Sequence, residues 1–205
     1  MTVQRPSSEA GFQPRLAVLL LCCLILSAFS CRPAAPPGYP PVSRKPKPSV
    51  SVSRLEKEIH SLINRERRKQ GLSSLAFDDA LARVARGHST DMGKRRYFSH
   101  ESPQGHDFAF RYRQAGYQCA LRQGATIHLG AENIAQNNLY TSVTTVNGSK
   151  FYDWSSEEEI AASTVKGWMD SPGHRKNILT PFWEKEGIGV FIAPDDKVYI
   201  TQNFC

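Results

Sequence analysis

A histidine at the predicted start of a helix, His174, holds the position in this sequence that best suits chemistry. Ser171 and Pro172 are typical of the N-cap and the first position of a helix, and Thr180-Pro181 ends that helix soon afterwards. The partial positive charge at a helix N-terminus favours a neutral imidazole, the form that binds a metal or accepts a proton. The alternative is that His174 only hydrogen-bonds the local backbone.

The sequence lacks the usual motifs of hydrolytic enzymes. It has no Gly-x-Ser-x-Gly segment, which would present an activated serine, and no His-Glu-x-x-His helix, which would bind zinc in a protease. No serine or cysteine has a recognisable base partner. These observations favour a protein that is not an enzyme.

Residues 1–30 have the pattern of a secretory signal. An apolar run over residues 16–29 follows Arg15, and small residues lead to Cys31. This run is shorter than the roughly 20 apolar residues of a membrane span, so export is the better interpretation. Either ordinary cleavage falls before Cys31, or the same residues are a bacterial lipobox and Cys31 is acylated. The protein is expected in the periplasm or at the cell surface, anchored in the membrane if Cys31 carries lipid and secreted otherwise.

The cysteines agree with export. Cys22 and Cys23 leave with the signal, and Cys119 and Cys205 remain as a natural disulfide pair in a compartment where disulfides persist. Closing so long a loop stabilises a fold by about 4–5 kcal/mol in the chain-entropy model. The alternative is a pair of free thiols.

Residues 31–52 are interpreted as a basic, proline-rich linker. Seven prolines lie between residues 32 and 50, and such a segment is a semi-rigid spacer rather than part of a fold. The net charge of +7 falls to +6 without residues 1–30, and it favours contact with anionic envelope surfaces. The sequence has no nucleic-acid-binding motif, because the basic cluster at 94–96 is better explained as the end of a helix.

The pattern of apolar residues predicts one mixed domain over residues 53–205. A helix begins at Ser53 and ends at Gly71, and Asp78 caps a second helix on whose apolar stripe His88 is expected to be a core residue. Further helices are predicted at 108–114 and 156–169, and strands at 75–77, 127–135, 187–193 and 197–204. Residues 136–154 are interpreted as a long excursion or a hairpin. Helices flanking a small, mostly antiparallel sheet indicate an α+β or layered α-β-α domain.

Five short motifs occur in one order, and together they resemble the CAP superfamily, the SCP/PR-1 domain, in its bacterial exported form. They are Phe98-Ser99-His100, Arg111 with Ala115-Gly116-Tyr117, Gly130 to Ala135, Trp168 to Leu179, and Gly187 to Val190. The resemblance covers residues 53–205. It implies a three-layer α-β-α sandwich with one large surface groove.

In the family, two histidines and two acidic residues line this groove, and in some members they bind a divalent metal. The resemblance assigns the histidines to His100 and His174 and one acid to Glu132. It also places Asn133 and Trp168 at the groove. Two imidazoles and one carboxylate suit zinc and leave a coordination position open. The alternative is a hydrogen-bonded polar cluster that holds no metal.

The second acidic position of the family departs from the pattern. It holds Ser171, which cannot ligate as a carboxylate does, and the neighbouring Asp170 is one position away. His106 is a possible replacement ligand, although a loop residue of this kind is expected to be exposed.

The resemblance implies three alternative functions. The favoured one is a cell-envelope binding module that holds a small apolar ligand or an envelope partner in its groove. The second is a metal-assisted hydrolase, in which His100 and His174 hold the ion and Glu132 acts as a general base or shares ligation. The third is a structural interaction domain of the envelope.

Overall fold

The computed structural model describes residues 46–205 of the 205-residue chain. The predicted signal, Cys31 and most of the predicted linker lie outside the described residues. The described helices are α1 (Val52–Lys69), α2 (Asp79–Arg95), α3 (Phe108–Gln114), α4 (Glu157–Asp170) and α5 (Pro172–Ile178). The described strands are β1 (Ala76–Phe77), β2 (Leu121–Gln123), β3 (Thr126–His128), β4 (Ala131–Asn138), β5 (Tyr140–Val146), β6 (Ser149–Trp154), β7 (Lys185–Ile192) and β8 (Lys197–Phe204). Within residues 46–205, no helix is both long and apolar enough to span a membrane.

A four-stranded sheet with the order β1-β7-β8-β4 forms the middle of the domain. β7 and β8 are the predicted antiparallel hairpin, and β4 pairs antiparallel with β8 so that Glu132 lies opposite Asn203. Only the two-residue strand β1 runs parallel to its neighbour. The sheet is therefore small and mostly antiparallel, as the sequence predicts.

Helices cover both faces of this sheet. On one face α2 packs directly against β7, because a Cβ atom added at Gly187 or Gly189 would lie 2.2 Å from Ala82 N or 2.0 Å from Arg86 N. On the other face, apolar residues of α1 and α4 share one core with side chains of β7 and β8. The result is the three-layer α-β-α arrangement that the resemblance implies.

The local patterns behind the helices are confirmed. The apolar positions of α1 are fully or almost fully buried (Leu55, Ile59, Leu62, Ile63). Asp78 caps α2 by accepting a hydrogen bond from Leu81 N. Ser156 and Glu159 form the predicted capping box of α4.

Cys119 and Cys205 form a disulfide, which confirms the predicted pairing. The bond ties the residue after β8 to the segment that follows α3. It closes a sequence separation of 86 residues.

The predicted strand over 127–135 is wrong in one respect, because two strands occupy this region. β3 ends at His128 and β4 begins at Ala131. Gly130 lies between them with a φ of +109°, and a Cβ there would lie 2.8 Å from Phe204 O. Glycine is therefore required at the turn, and the chain leaves the β2–β3 hairpin to enter the central sheet. Residues 140–154 form a second hairpin, β5–β6, in line with the interpretation of that segment.

Candidate functional site

The structure brings His100 and Glu132 together. Arg96 is the C-cap of α2, and its left-handed conformation (φ +59°) turns the chain toward the loop that carries His100. Glu132 lies near the start of β4 with its side chain 1% exposed. His100 Nδ1 lies 3.0 Å from Glu132 Oε1. Because the carboxylate accepts this hydrogen bond, Nδ1 carries the hydrogen.

Arg111 is a third member of this cluster, and its sequence motif alone predicts no role for it. Its Nη2 donates to Glu132 Oε2 at 2.7 Å and to the backbone oxygen of His100 at 3.0 Å. Its Nη1 donates to the backbone oxygen of His106 at 2.8 Å. The guanidinium therefore neutralises the buried carboxylate and fixes the loop of His100 in one position. The available signal was an arginine between two aromatic residues of a short helix.

His88 lies behind Glu132. It is buried as predicted, but its Nε2 is 3.9 Å from Glu132 Oε1, so it adjoins the site as well as the core. Nε2 donates to Ser99 O at 3.0 Å, since a carbonyl oxygen only accepts. Burial lowers the pKa of His88, outweighing the opposite influence of Glu132, and the ring is held neutral.

His174 lies in the first turn of α5, as predicted. Its pKa is lowered by burial and, to a smaller degree, by the neighbouring imidazole of His100. Burial therefore adds to the effect of the helix N-terminus, and both favour the neutral imidazole expected at this position. Ser171 is the N-cap of α5, but its hydroxyl makes no capping hydrogen bond, in contrast to the prediction.

A row of buried amides holds α5 against β4. Asn133 Nδ2 donates to the backbone oxygen of His174 at 3.2 Å and to Gln202 Oε1 at 3.0 Å. Asn177 Nδ2 donates to Asn133 Oδ1 at 2.9 Å and to Glu132 O at 3.2 Å. Asn133 is completely buried, so its place is under the site, where it positions His174.

Trp168 also lies under the site rather than on its surface. It is 2% exposed, and its indole Nε1 donates to Ile134 O at 3.0 Å. The ring belongs to the core that α1 and α4 share with the sheet. The tryptophan of the motif is thus explained by packing of α4 beneath β4.

An open groove runs between the loop after α2 and α5. Its volume is about 460 Å³, and it is lined by Phe98, Ser99, His100, Glu101, Ile134 and His174. The ring of Phe98 is 47% exposed and the side chain of His100 is 51% exposed. Both histidines predicted for the groove therefore line it, and Glu132 lies behind His100.

Glu132 is not free to bind a metal in this arrangement, because His100 and Arg111 occupy its two oxygens. Within residues 46–205, no group of three or more His, Cys, Asp or Glu residues is placed to hold a metal ion. A zinc ion bound by His100, Glu132 and His174 stays a prediction. It requires Glu132 to exchange its bond with Arg111 for a bond to the metal.

The other acidic and histidine candidates lie away from the groove. Asp170 pairs with Lys166 on the exposed side of α4. The ring of His106 stacks on Phe110, with 3.6 Å between the ring centroids. His106 contributes only its backbone oxygen to the cluster, by accepting from Arg111.

Comparison with known proteins agrees with this fold. The sequence profile of the cysteine-rich secretory protein family, CAP, matches residues 60–204. The uncharacterized protein YkwD of Bacillus subtilis is 36% identical over 139 residues, which are 68% of this chain and 43% of YkwD.

Solved structures give the same result. An extracellular protein of Bacillus anthracis that contains an SCP domain is 32% identical, with a TM-score of 0.54, over 74% of this chain and 40% of that one. An outer surface protein of Borrelia burgdorferi has a TM-score of 0.57 over 78% of this chain and 97% of its own, and at 19% identity it shares the fold alone. The chain spans less than half the length of the two Bacillus relatives. The chain belongs to the cysteine-rich secretory protein (CAP) family and is of the bacterial extracellular type.

Proposed function

We propose that this protein is an exported binding module that takes a small apolar ligand, or an apolar part of an envelope partner, into the groove beside His100 and His174. The observation that carries the proposal is the exposed ring of Phe98 on the wall of a groove of about 460 Å³. An aromatic ring left in water beside a few polar groups is the usual composition of a ligand site.

The state of the polar groups favours binding over hydrolysis. Glu132 is neutralised by Arg111 and bonded to His100, so it is poorly placed to take a proton from water. Ser99, the hydroxyl residue of the groove, accepts a hydrogen bond from Glu101 N, and within residues 46–205 no imidazole is bonded to its Oγ. The imidazoles are therefore better suited to orienting a ligand than to activating a nucleophile.

A neutral fluorescent probe tests the proposal. N-phenyl-1-naphthylamine gains fluorescence in an apolar site, and Phe98→Ala should weaken its binding about tenfold, since a buried aromatic contact is lost. Ile127→Ala is the matched control, because Ile127 is 49% exposed and lies outside the groove. If the wild type and Phe98→Ala bind the probe equally well, the groove is not the binding site.

A second candidate function, metal-assisted hydrolysis, is favoured by the state of the two imidazoles. Burial and, to a smaller degree, the neighbouring imidazole of His100 lower the pKa of His174, and a neutral His174 can offer a lone pair. His100 and His174 would hold a zinc ion, which when bound would polarise water or a carbonyl. Calorimetric zinc titration of the mature chain tests this candidate, with His174→Ala as the control. Titration without heat in the wild type would exclude it.

Attachment to the envelope is part of the proposal. Cys31 would carry the anchor, and the proline-rich linker would hold the domain away from the membrane. Membrane fractionation of Cys31→Ser tests this idea, because an acylated protein should move from the membrane fraction to the soluble fraction. A wild type that is already fully soluble would contradict the anchor and leave the groove proposal intact.

A further inference from the structure

We infer that a second cleft, between α2 and α3, binds a small uncharged molecule that has an apolar body and a hydroxyl group. This α2–α3 cleft is separate from the groove of His174 and goes beyond the proposed function. Its volume is about 490 Å³. Among the residues that line it are Val84, Gly87, His88, Asp91, Phe110 and Arg111.

The first observation is an unexplained glycine in the wall. Gly87 lies inside α2, where glycine weakens a helix relative to alanine. A Cβ added at Gly87 would meet nothing within 4 Å, so packing within the domain does not require glycine there. Gly93, in the same helix, differs, because its Cβ would lie 2.4 Å from the ring of Phe191. A glycine that packing does not need keeps the helix backbone open to the α2–α3 cleft, which suits close approach by a ligand.

The second observation is a pair of polar atoms that lack partners. His88 Nδ1 and Arg111 Nε are buried, and neither makes a hydrogen bond within the described part of the chain. His88 Nε2 carries the hydrogen, so Nδ1 has a free lone pair, whereas Arg111 Nε has a free N–H. Both residues line the α2–α3 cleft, and both approach Glu132: His88 Nε2 lies 3.9 Å from Oε1, and Arg111 Nη2 lies 2.7 Å from Oε2. Buried polar atoms without partners are costly, and the hydroxyl of a ligand in this cleft can donate to the free lone pair of His88 Nδ1.

The charges of the α2–α3 cleft indicate an uncharged ligand. Arg111 is already paired with Glu132. Asp91 accepts from Tyr97 Oη at 2.5 Å and lies 3.4 Å from Arg95 Nη1. A charged ligand would have to break one of these pairs, whereas a neutral ligand would leave them in place.

The remaining wall suits a flat apolar body. The ring of His106 stacks on Phe110 with an angle of 13° between the ring planes. Val84 adds an aliphatic surface from α2. A ring of one or two fused cycles would lie along these side chains with its hydroxyl toward His88.

A pair of probes tests the inference by NMR titration of the mature chain labelled with ¹⁵N. 2-Naphthol has a hydroxyl group that can donate a hydrogen bond. 2-Methoxynaphthalene has the same fused rings but no hydrogen-bond donor. We expect shifts centred on the Gly87 amide and on α3, and affinity about fivefold higher for 2-naphthol, the effect of one hydrogen bond. Equal affinities, shifts centred on the groove at Phe98 and His174, or no shifts at all would each overturn the inference.

Two leucine substitutions test whether 2-naphthol binds in the α2–α3 cleft. Gly87→Leu fills the α2–α3 cleft and should weaken 2-naphthol binding about tenfold. Gly167→Leu is the matched control, because Gly167 lies inside α4 and its Cβ would also meet nothing within 4 Å. Thermal unfolding checks that both variants fold. Unchanged binding in a folded Gly87→Leu variant would overturn the inference. Ile127→Ala, which lies outside both the α2–α3 cleft and the groove, should leave 2-naphthol binding unchanged.

Discussion

The carboxylate of Glu132 is almost completely buried, and the positive charge of Arg111 offsets the free-energy cost of burying it. Arg111 donates to Glu132 Oε2 while His100 donates to the other oxygen, so each oxygen has one partner. The pair therefore has two effects. It makes the burial of a charge tolerable, and it fixes His100 at the groove.

Replacing Arg111 by methionine should destabilise the domain by about 3 kcal/mol, because Glu132 would keep its burial and lose its counter-charge. Urea unfolding measures the change. Arg113→Met is the control, since Arg113 is exposed on the same helix. If Arg111→Met is no more destabilising than Arg113→Met, the role given to Arg111 is wrong.

The buried imidazole of His88 should make stability depend on pH in a definite direction. Burial lowers the pKa of His88 in the folded protein, so the unfolded chain takes up a proton first as the pH falls. Stability should therefore fall as the pH drops below the unfolded value of about 6.5, by roughly 1 kcal/mol at pH 5.5 for one such histidine. Urea unfolding at pH 7.5 and pH 5.5 measures this loss. His88→Gln should lose less than the wild type, and an equal loss would contradict the assignment.

The members of the cluster differed in how far sequence could predict them. His174 was predicted from its place at the start of a helix, and the resemblance of short motifs to the family implied His100 and Glu132. The partnership of Arg111 with Glu132 joins residues 21 apart through a turn and a hairpin, and periodicity carries no sign of it. The prediction that Trp168 lies at the groove was wrong for a similar reason. α4 packs beneath β4 in a way that the motif alone does not show.

At the scale of elements, the contact between α2 and β7 fixes one layer of the sandwich. The helix backbone lies so near the strand that neither Gly187 nor Gly189 leaves room for a methyl group. α2 ends at the loop of His100, so this contact also sets the position of one wall of the groove.

Gly189→Ala should therefore destabilise the domain by about 3 kcal/mol, because its Cβ would lie 2.0 Å from Arg86 N and the backbone would have to move. Thermal and urea unfolding measure the effect. Gly167→Ala, in the open surface of α4, should instead raise stability by roughly 0.5–1 kcal/mol. Similar effects at the two positions would contradict the close packing.

The helices were predicted well because their caps and apolar stripes are local signals. Asp78, Ser156 and Glu159 cap as their residue types indicate. The strands were harder, because the break at Gly130 depends on Phe204, which is distant in sequence. The hydroxyl of Ser171 was predicted to cap α5 and does not, so a cap residue type alone does not establish a capping hydrogen bond.

At the scale of the whole molecule, the disulfide between Cys119 and Cys205 joins the end of the sheet to the segment after α3. Both cysteines pack with Tyr112 and Leu81 in a small core of their own. The bond thus connects the layer of α2 and α3 to the central sheet.

Removing this bond by a double change of Cys119 and Cys205 to serine should destabilise the domain by about 4 kcal/mol, as expected for a loop of this length. Urea unfolding under oxidising conditions measures the difference. Reduced wild type should resemble the double variant. A loss below about 1 kcal/mol would show that the chain-entropy argument does not apply to this loop.

The groove between the loop of His100 and α5 is tested most directly by identifying what the purified protein carries. The mature protein would be purified from the medium or the envelope without detergent, extracted with organic solvent, and analysed by mass spectrometry beside Phe98→Ala and Ile127→Ala. We expect one class of apolar molecule in the wild type and in Ile127→Ala, and much less of it in Phe98→Ala. Equal amounts in all three proteins, or none in any of them, would contradict a ligand-binding groove.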